Sequence, residues 1–249
     1  PQHWGMRDAP DVIFVASAYL SAYNARAFGV RDYIAQLMFN SPPGLSDSMD
    51  LAKMVACLNI IQPLESESFR IWRQTRTGLL SFPLDMEEAR GHLAASTYLQ
   101  MALRPHILHI VGFSEADHAA TASEVIAASK LVKRVVDNAL KGAPDMLQDK
   151  LIQERAEELV SEAWLTLEAV RELSGEAADP GDDPFTNPEV LTRAVTSGIL
   201  DAPHLVNNPF GQGKIRTNHD EQGACRAVNP KNGQPWNERE RLNSIGLDV

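Results

Sequence analysis

Histidine is the side chain in this sequence best suited to metal binding or to acid–base chemistry near neutral pH. Two histidines flank one predicted strand, and three more lie at a helix start or in loops near the C-terminus. A metal site requires its ligands to converge in space, and the spacing of these residues shows no convergence. We therefore expect structural or surface histidines, not metal ligands, at His106, His109, His118, His204 and His219.

The short motifs of several enzyme classes are missing. The sequence has no G-x-S-x-G nucleophile elbow, no H-E-x-x-H zinc motif and no G-x-x-x-x-G-K-S/T phosphate loop. Gly211-Gln-Gly213 supplies the first two glycines of a G-x-G-x-x-G motif, but Lys214-Ile-Arg216 follows where the third glycine should stand. A plain turn is therefore expected there in preference to a nucleotide site.

Composition excludes some classes of partner and places the protein in the cytoplasm. Of 249 residues, 33 are Asp or Glu and 23 are Lys or Arg, which gives a net charge of -10. Such a surface repels phosphate backbones, so no nucleic-acid partner is expected. No apolar run approaches the roughly 18 to 20 residues that span a membrane. The distant cysteines Cys57 and Cys225 are typical of reduced cytoplasmic thiols. The chain opens with Pro1, without an initiator Met, which is expected of a processed or trimmed chain or of a fragment of a longer protein.

Strand, loop and helix alternate through the first 141 residues. Apolar spacing predicts helices over 10–29, 49–61, 86–102 and 119–141, with Ser46 or Asp47 capping the second and Asp85 the third. Strands are predicted between them at 33–39, 69–75 and 105–112. This alternation is typical of βαβ units and predicts a parallel sheet.

The rest of the chain has a different character. A long helix is predicted over 146–173, followed by an acidic Gly- and Pro-rich loop over 175–188. The segment 200–234 is loop-rich, with short strands predicted near 214–216 and 225–228.

Three stretches resemble the large barrel subunit of glutamate mutase (methylaspartate mutase), the component called epsilon. The first is Ala27-Phe-Gly-Val-Arg-Asp-Tyr33, and the second runs from Ser81-Phe-Pro-Leu-Asp-Met86 without a gap to Lys130. The third comprises Gly198-Ile-Leu-Asp-Ala-Pro203, Asp220-Glu-Gln-Gly-Ala-Cys225-Arg226 and Asn237-Glu-Arg-Glu-Arg-Leu242. Their order and spacing match the last half of that subunit over nearly the whole chain.

The resemblance implies an α/β fold that is the C-terminal half of a (β/α)8 TIM-type barrel with parallel strands, plus a helical and loop-rich C-terminal extension. Residues 1–142 would form the partial barrel, and residues 143–249 would complete the same domain. Sites of such barrels lie at the carboxyl ends of the strands. The two open sheet edges of half a barrel would leave the isolated chain marginally stable or prone to aggregation.

The family resemblance also implies a function. The protein would be an isomerase component that interconverts L-glutamate and threo-3-methylaspartate by a radical mechanism dependent on adenosylcobalamin (coenzyme B12). A separate small subunit would hold the cobalt-containing corrin through an Asp-x-His-x-x-Gly motif, which this chain lacks. The expected partners are that subunit, in a hetero-oligomer, and a small acidic amino acid. A non-catalytic accessory homologue and a mutase for another acidic amino acid are the alternatives.

Four positions match coenzyme contacts of the family. Phe82 matches a phenylalanine, with an apolar loop anchor as the alternative role. Glu115 matches a glutamate that reaches the adenosine portion, where a carboxylate can accept hydrogen bonds from ribose hydroxyls; the alternative is a solvated charge at a helix start. Ala119, expected one helical turn further on, has simple packing as its alternative. Val111 stands where the family has a lysine, so it cannot supply that hydrogen bond or charge.

Two arginines of the preceding strand end, Arg76 and Arg73, are candidates to replace the missing lysine. The ordinary alternative for either is a surface arginine. The family's substrate-binding arginines belong to its N-terminal half, so no catalytic residue is assigned in this chain.

Overall fold

The computed structural model describes residues 1–173 and 182–247. Helices and strands alternate in the first half of the chain, as the sequence predicts. The helices are α1 (Gln2–Gly5), α2 (Asp11–Ala27), α3 (Asp47–Ile61), α4 (Met86–Gln100), α5 (Ala122–Lys141), α6 (Lys150–Glu172), α7 (Pro188–Thr196) and α8 (Glu238–Ser244). The strands are β1 (Asp32–Phe39), β2 (Arg70–Thr77), β3 (Ile107–His109), β4 (Thr217–His219) and β5 (Cys225–Ala227).

The first three strands form one parallel sheet in the order β1-β2-β3. Asp32 pairs with Arg70 at one end of β1, and Phe39 pairs with Thr77 at the other. The third strand joins through Arg76, which pairs with His109. The prediction of an α/β fold with parallel strands is confirmed, whereas three strands alone do not define a barrel. Strands β4 and β5 form a separate antiparallel pair.

Local sequence explains several helix boundaries. The Ser46 hydroxyl accepts a hydrogen bond from the Met49 N–H, and the Asp85 carboxylate accepts from two N–H groups of the first turn of α4. These are the predicted caps, and each satisfies donors that a helix N-terminus leaves unpaired. Thr121 and Glu124 form a reciprocal capping box at the start of α5.

Some boundaries differ from the prediction. The third strand covers three residues, not 105–112, and α5 begins at Ala122, not at residue 119. Both differences arise in one segment, where residues 113–117 form turns. The tail strand expected near 214–216 lies at 217–219. The predicted loop over 175–188 lies partly outside the described residues, and α7 begins at its last position, Pro188.

Two apolar clusters hold the fold together. The larger joins α2, α3 and α6 to β1 and to residues as distant as Leu242, so both halves of the chain share it. The smaller lies beyond the ends of β2 and β3, between α4 and α5. We call it the small core; it consists of Phe82, Ala89, Leu93, Val111, Phe113, Ala128 and Val132. In the described ranges, no helix has the length and apolarity to cross a membrane.

Candidate functional site

Helices cover one face of the parallel sheet. Because side chains alternate across a strand, residues two apart share a face. Ala35, Leu37 and Phe39 of β1 are buried in the larger cluster together with Ile71 of β2. Helices α3 and α4 contact β1 and β2 respectively. This side of the sheet is therefore ordinary protein interior.

The opposite face is uncovered over much of its length and carries polar and aromatic side chains, although Met38 at the carboxyl end of β1 lies on it and is 2% exposed. Ile34 is 49% exposed and Ile107 is 40% exposed. The four-residue helix α1 reaches this face, where Gln2 hydrogen bonds to Gln36. The Trp72 indole N–H donates to Asp32 Oδ1 at 2.9 Å. We call this surface the open face; it consists of Ile34, Gln36, Trp72, Gln74, Arg76, Ile107 and His109.

Charged and polar groups gather where the open face meets the carboxyl ends of β2 and β3. Gln74 Nε2 lies 3.4 Å from His109 Nδ1. Partial burial lowers the pKa of His109, the positive charge of Arg76 lowers it further, and the carboxylate of Glu115 opposes the shift. Arg76 and Glu115 are therefore both within electrostatic reach of His109. Arg76 forms no ion pair with any residue that the structure describes.

The Glu115 side chain is exposed but held by its own loop. Its Oε1 accepts a hydrogen bond from the Gly112 N–H at 2.5 Å, and its N–H donates to the Gly112 carbonyl at 3.1 Å. A Cβ at Gly112 would lie 2.9 Å from Oε1, so a larger residue would displace the carboxylate. The neighbouring Ser114 is fully buried, and its hydroxyl has no hydrogen-bond partner within the described chain. We call Arg76, His109, Ser114 and Glu115 the strand-end cluster.

Phe82 and Val111 lie nearby but inside the small core. They are 6% and 2% exposed, respectively. The Phe82 ring packs edge-on against His92, with 5.1 Å between ring centroids. The loop of Phe82 is fixed by Ser81, whose hydroxyl donates to the Gly78 carbonyl and lies 2.7 Å from His92 Nε2. Phe82 and Val111, both predicted coenzyme contacts, therefore lie together beyond the carboxyl ends of the strands, but as packed apolar side chains.

Ala119 is exposed and precedes α5. The expectation that it lies one helical turn beyond Glu115 is wrong, because the Thr121 cap starts the helix after it. Of the two candidate arginines, Arg73 donates to the Arg104 carbonyl at 3.0 Å and 3.3 Å, near the amino end of β3. Arg76 is therefore the one that lies at the strand-end cluster.

The histidines belong to separate local arrangements. His106 accepts a hydrogen bond from the Arg73 N–H through Nδ1, and His118 lies between Asp117 and Glu124. His204 pairs with Asp8 at 3.0 Å. Within the described ranges, no group of three His, Cys, Asp or Glu residues is arranged to hold a metal ion.

A second polar cluster lies at the end of β1 and is enclosed. Lys53 is fully buried, with its ammonium 3.5 Å from Asp11 Oδ1 and 3.1 Å from Asp50 Oδ1. The same ammonium donates to the Ser41 carbonyl at 2.7 Å. Arg155 of α6 lies 3.5 Å from Asp11 Oδ2. We call Asp11, Asp50, Lys53 and Arg155 the buried charge cluster.

The buried charge cluster joins distant parts of the chain. Burial alone would lower the pKa of Lys53, but the carboxylates of Asp50 and Asp11 outweigh it and raise that pKa, so the ammonium stays charged. Asp11 also accepts from the Cys225 N–H at 3.0 Å, which ties α2 to the tail strand β5. Burial raises the pKa of the Cys57 thiol to about 12 and that of Cys225 still further, so neither is a reactive thiolate near neutral pH.

Sequence interpretation missed the buried charge cluster and Ser114. The available signal for the cluster was a lysine inside the apolar stretch 49–61, where Lys53 is the one cation. For Ser114 there was no signal, since its distinguishing property is burial without a partner.

Comparison with known proteins identifies no family for this chain. A scan against protein-family models finds no match, and a search of curated proteins finds no significant match. A functional assignment therefore depends on the site geometry and on the sequence resemblance described above.

Proposed function

We propose that this chain is the C-terminal half of the barrel component of an adenosylcobalamin-dependent carbon-skeleton mutase. The reaction would interconvert L-glutamate and threo-3-methylaspartate in the cytoplasm. The strand-end cluster would face the coenzyme. A small corrin-binding subunit would be the obligatory partner in a hetero-oligomer, with an acidic amino acid as substrate and no nucleic acid or membrane involved.

The observation that carries this proposal is the one-sided sheet. A parallel sheet is normally covered on both faces, yet here helices pack on one face while Ile34 and Ile107 stay exposed on the other. Strands β1 and β3 are the sheet's edges among the described residues. In a (β/α)8 barrel the face turned away from the crossover helices is the interior, and the edge strands pair with further strands. Here only the four-residue helix α1 reaches that face among the described residues. Residues 1–142 would supply that part of the barrel, and residues 143–249 would complete the same domain.

The residues at the sheet edge fit the coenzyme in part. The exposed Glu115 carboxylate has its Oε1 engaged by Gly112, which orients its second oxygen for a ligand hydroxyl. The neighbouring Ser114 is fully buried, so it would support this loop from behind and make no contact with the sugar. Arg76 would supply the positive charge that Val111 does not. When bound, the coenzyme would supply a carbon radical by homolysis of its cobalt–carbon bond. These residues would bind and orient the coenzyme and would keep water away from the radical.

Phe82, Val111 and Ala119 have more limited roles in this proposal. Phe82 and Val111 are buried, so they would shape the wall behind the coenzyme through packing. Ala119 is exposed in the loop after Glu115 and would contribute space. No catalytic residue is assigned, because the family's substrate ligands belong to the N-terminal half.

A non-catalytic accessory role is the second candidate. It is favoured by Val111, which is 2% exposed within the small core. A lysine in that environment would bury a charge, which is strongly unfavourable without a partner. A chain adapted to valine here has lost the family's charge at this position and would retain the fold for assembly alone. A mutase for another acidic amino acid remains the third form of the proposal.

Reconstitution separates these candidates. The chain is combined with the corrin-binding subunit, adenosylcobalamin and the remaining barrel strands supplied as a second polypeptide. A mutase gives a cobalt(II) electron paramagnetic resonance signal and product from L-glutamate or from another member of a substrate panel. An accessory homologue gives the complex without signal or product. Absence of the complex itself would reject both proposals.

A further inference from the structure

A pocket of about 440 Å³ lies in the C-terminal tail, apart from the parallel sheet. This volume is within the range of roughly 300–1,000 Å³ that is usual for small-molecule sites. Its walls come from the loop around residues 212–216, the turn at 228–231 and the start and end of the α8 region. Residues central to its chemistry are Gln212, Lys214, Arg216, Asn229, Lys231 and Trp236.

Three cations line this pocket without acidic partners. Lys214, Arg216 and Lys231 form no ion pair with a residue of the described chain. Arg216 instead donates to the Gly213 and Ile215 carbonyls, both at 3.1 Å. The protein has a net charge of -10, so a local group of unpaired cations makes the charge at this pocket opposite in sign to that of the protein as a whole. Such a group attracts a multiply charged anion.

Among the described residues that line the pocket, Asp201 is the one carboxylate, and it is already satisfied. Asp201 is 2% exposed, and it accepts hydrogen bonds from three successive backbone N–H groups. Its Oδ1 accepts from Gly213 at 2.8 Å, and its Oδ2 accepts from Lys214 at 2.9 Å and from Ile215 at 3.1 Å. Asp201 therefore fixes the loop that carries two of the cations and leaves their ammonium and guanidinium groups unneutralised.

The pocket walls are built rigidly. Arg241 is 2% exposed and donates to Glu238, to the Gly198 carbonyl at 3.1 Å and to the Ile199 carbonyl at 2.8 Å. Gly213 has φ +59, and a Cβ there would lie 2.0 Å from the Val206 N. A side chain at position 213 is thus excluded by both strain and space. The loop can pass this close to its neighbour only because that residue is glycine.

An aromatic and apolar wall completes the pocket. The half-buried Trp236 lines it together with the buried side chains of Val228 and Ile215. The Trp236 N–H donates to the Ala227 carbonyl at 2.8 Å, which anchors its backbone to strand β5. A flat apolar group can stack on an indole, while phosphate oxygens accept hydrogen bonds from lysine and arginine.

We propose that this tail pocket binds a small phosphorylated molecule that carries a flat ring, of the nucleoside diphosphate type. Lys214, Arg216 and Lys231 hold the phosphates, and Trp236 stacks on the ring. The amides of Gln212 and Asn229 offer hydrogen bonds to the ring edge or sugar. The site is independent of the proposed mutase function, since none of its residues belongs to the strand-end cluster. It also assigns a binding wall to the loop residues 212–216, where the sequence predicts a plain turn.

Calorimetric titration of the full chain with adenosine 5′-diphosphate, inorganic pyrophosphate and adenosine tests this proposal. The diphosphate should bind at least about tenfold more tightly than either pyrophosphate or adenosine, because it engages both walls. Lys214→Gln and Lys231→Gln should each weaken it about tenfold, since each removes one charged hydrogen bond. Trp236→Leu should weaken the nucleotide and leave pyrophosphate binding unchanged.

The control is Lys130→Gln, which removes an exposed lysine of α5 that makes no ion pair with a described residue. It should leave the affinity unchanged. Lys214 and Lys231 are exposed and their ammonium groups make no hydrogen bond within the described chain, so their replacement leaves the fold intact. Absence of nucleotide binding, equal affinity for pyrophosphate, or affinities insensitive to both lysine variants would each overturn the proposal.

Discussion

Because the sheet is parallel, β1 and β3 end on the same side of it. The polar groups at these two carboxyl ends are nevertheless in opposite environments. At β1, the two cations Lys53 and Arg155 are enclosed with the two carboxylates of Asp11 and Asp50. At β2 and β3, Glu115 is exposed, and Arg76 forms no ion pair with a described residue. Enclosed charges that pair with each other leave nothing for a ligand, whereas exposed groups held by their own loop remain available to one.

The largest expected effect comes from breaking the buried charge cluster. Lys53→Met leaves the Asp50 carboxylate buried without its cation and Asp11 paired with Arg155 alone, which should cost about 3–5 kcal/mol of unfolding free energy. Urea denaturation measures the change. The matched control is Lys133→Met on α5, where the exposed pair with Asp137 should contribute little. A loss at Lys53 no larger than at Lys133 would show that the enclosed charges do not stabilise the fold.

A comparable loss is expected from placing a charge in the small core. Val111→Lys restores the family's residue but buries an unpaired ammonium at a position that is 2% exposed, which should cost several kcal/mol of unfolding free energy. Val111→Met keeps the site apolar and should cost less. If Val111→Lys instead unfolds like the wild type and strengthens coenzyme-dependent assembly, position 111 faces a ligand and the accessory proposal loses its support.

The free energy of unfolding is expected to depend on pH through His92 of α4, which packs against Phe82. Burial lowers the pKa of His92 below its ordinary value of 6.5. The unfolded chain therefore binds a proton more readily, and the free energy of unfolding should fall as pH drops through 6.5 toward the lower folded pKa. Denaturation at pH 7.5 and 5.5 should show a steeper decline for wild type than for His92→Asn. Equal slopes would mean that His92 titrates as it does in solvent.

Sequence patterns predicted the sheet well because their causes are local. Alternating elements, the Ser46 and Asp85 caps and the long apolar helices all follow from neighbouring residues. The segment around 110–121 was predicted less accurately, because its apolar residues Val111 and Phe113 belong to the small core and not to a strand. Periodicity alone does not distinguish these two kinds of burial.

The candidate site was harder to predict from the sequence than the fold. Phe82, Val111, Glu115 and Ala119 were nominated by resemblance, and their burial could not be read from the sequence. The open face depends on which elements pack on each side of the sheet, and the pairing of Lys53 with Asp11 spans 42 positions along the chain. Such long-range contacts leave no local pattern.

The most direct test of the proposed function is the affinity of the chain for the corrin-binding subunit loaded with adenosylcobalamin, measured for Glu115→Gln against wild type. The exposed acid Glu157 of α6, which lies outside the strand-end cluster, gives the control variant Glu157→Gln. Loss of a charged hydrogen bond to the ribose should weaken association about tenfold for Glu115→Gln and leave Glu157→Gln unchanged. Equal affinities for wild type and Glu115→Gln would contradict the placement of the coenzyme at this strand end.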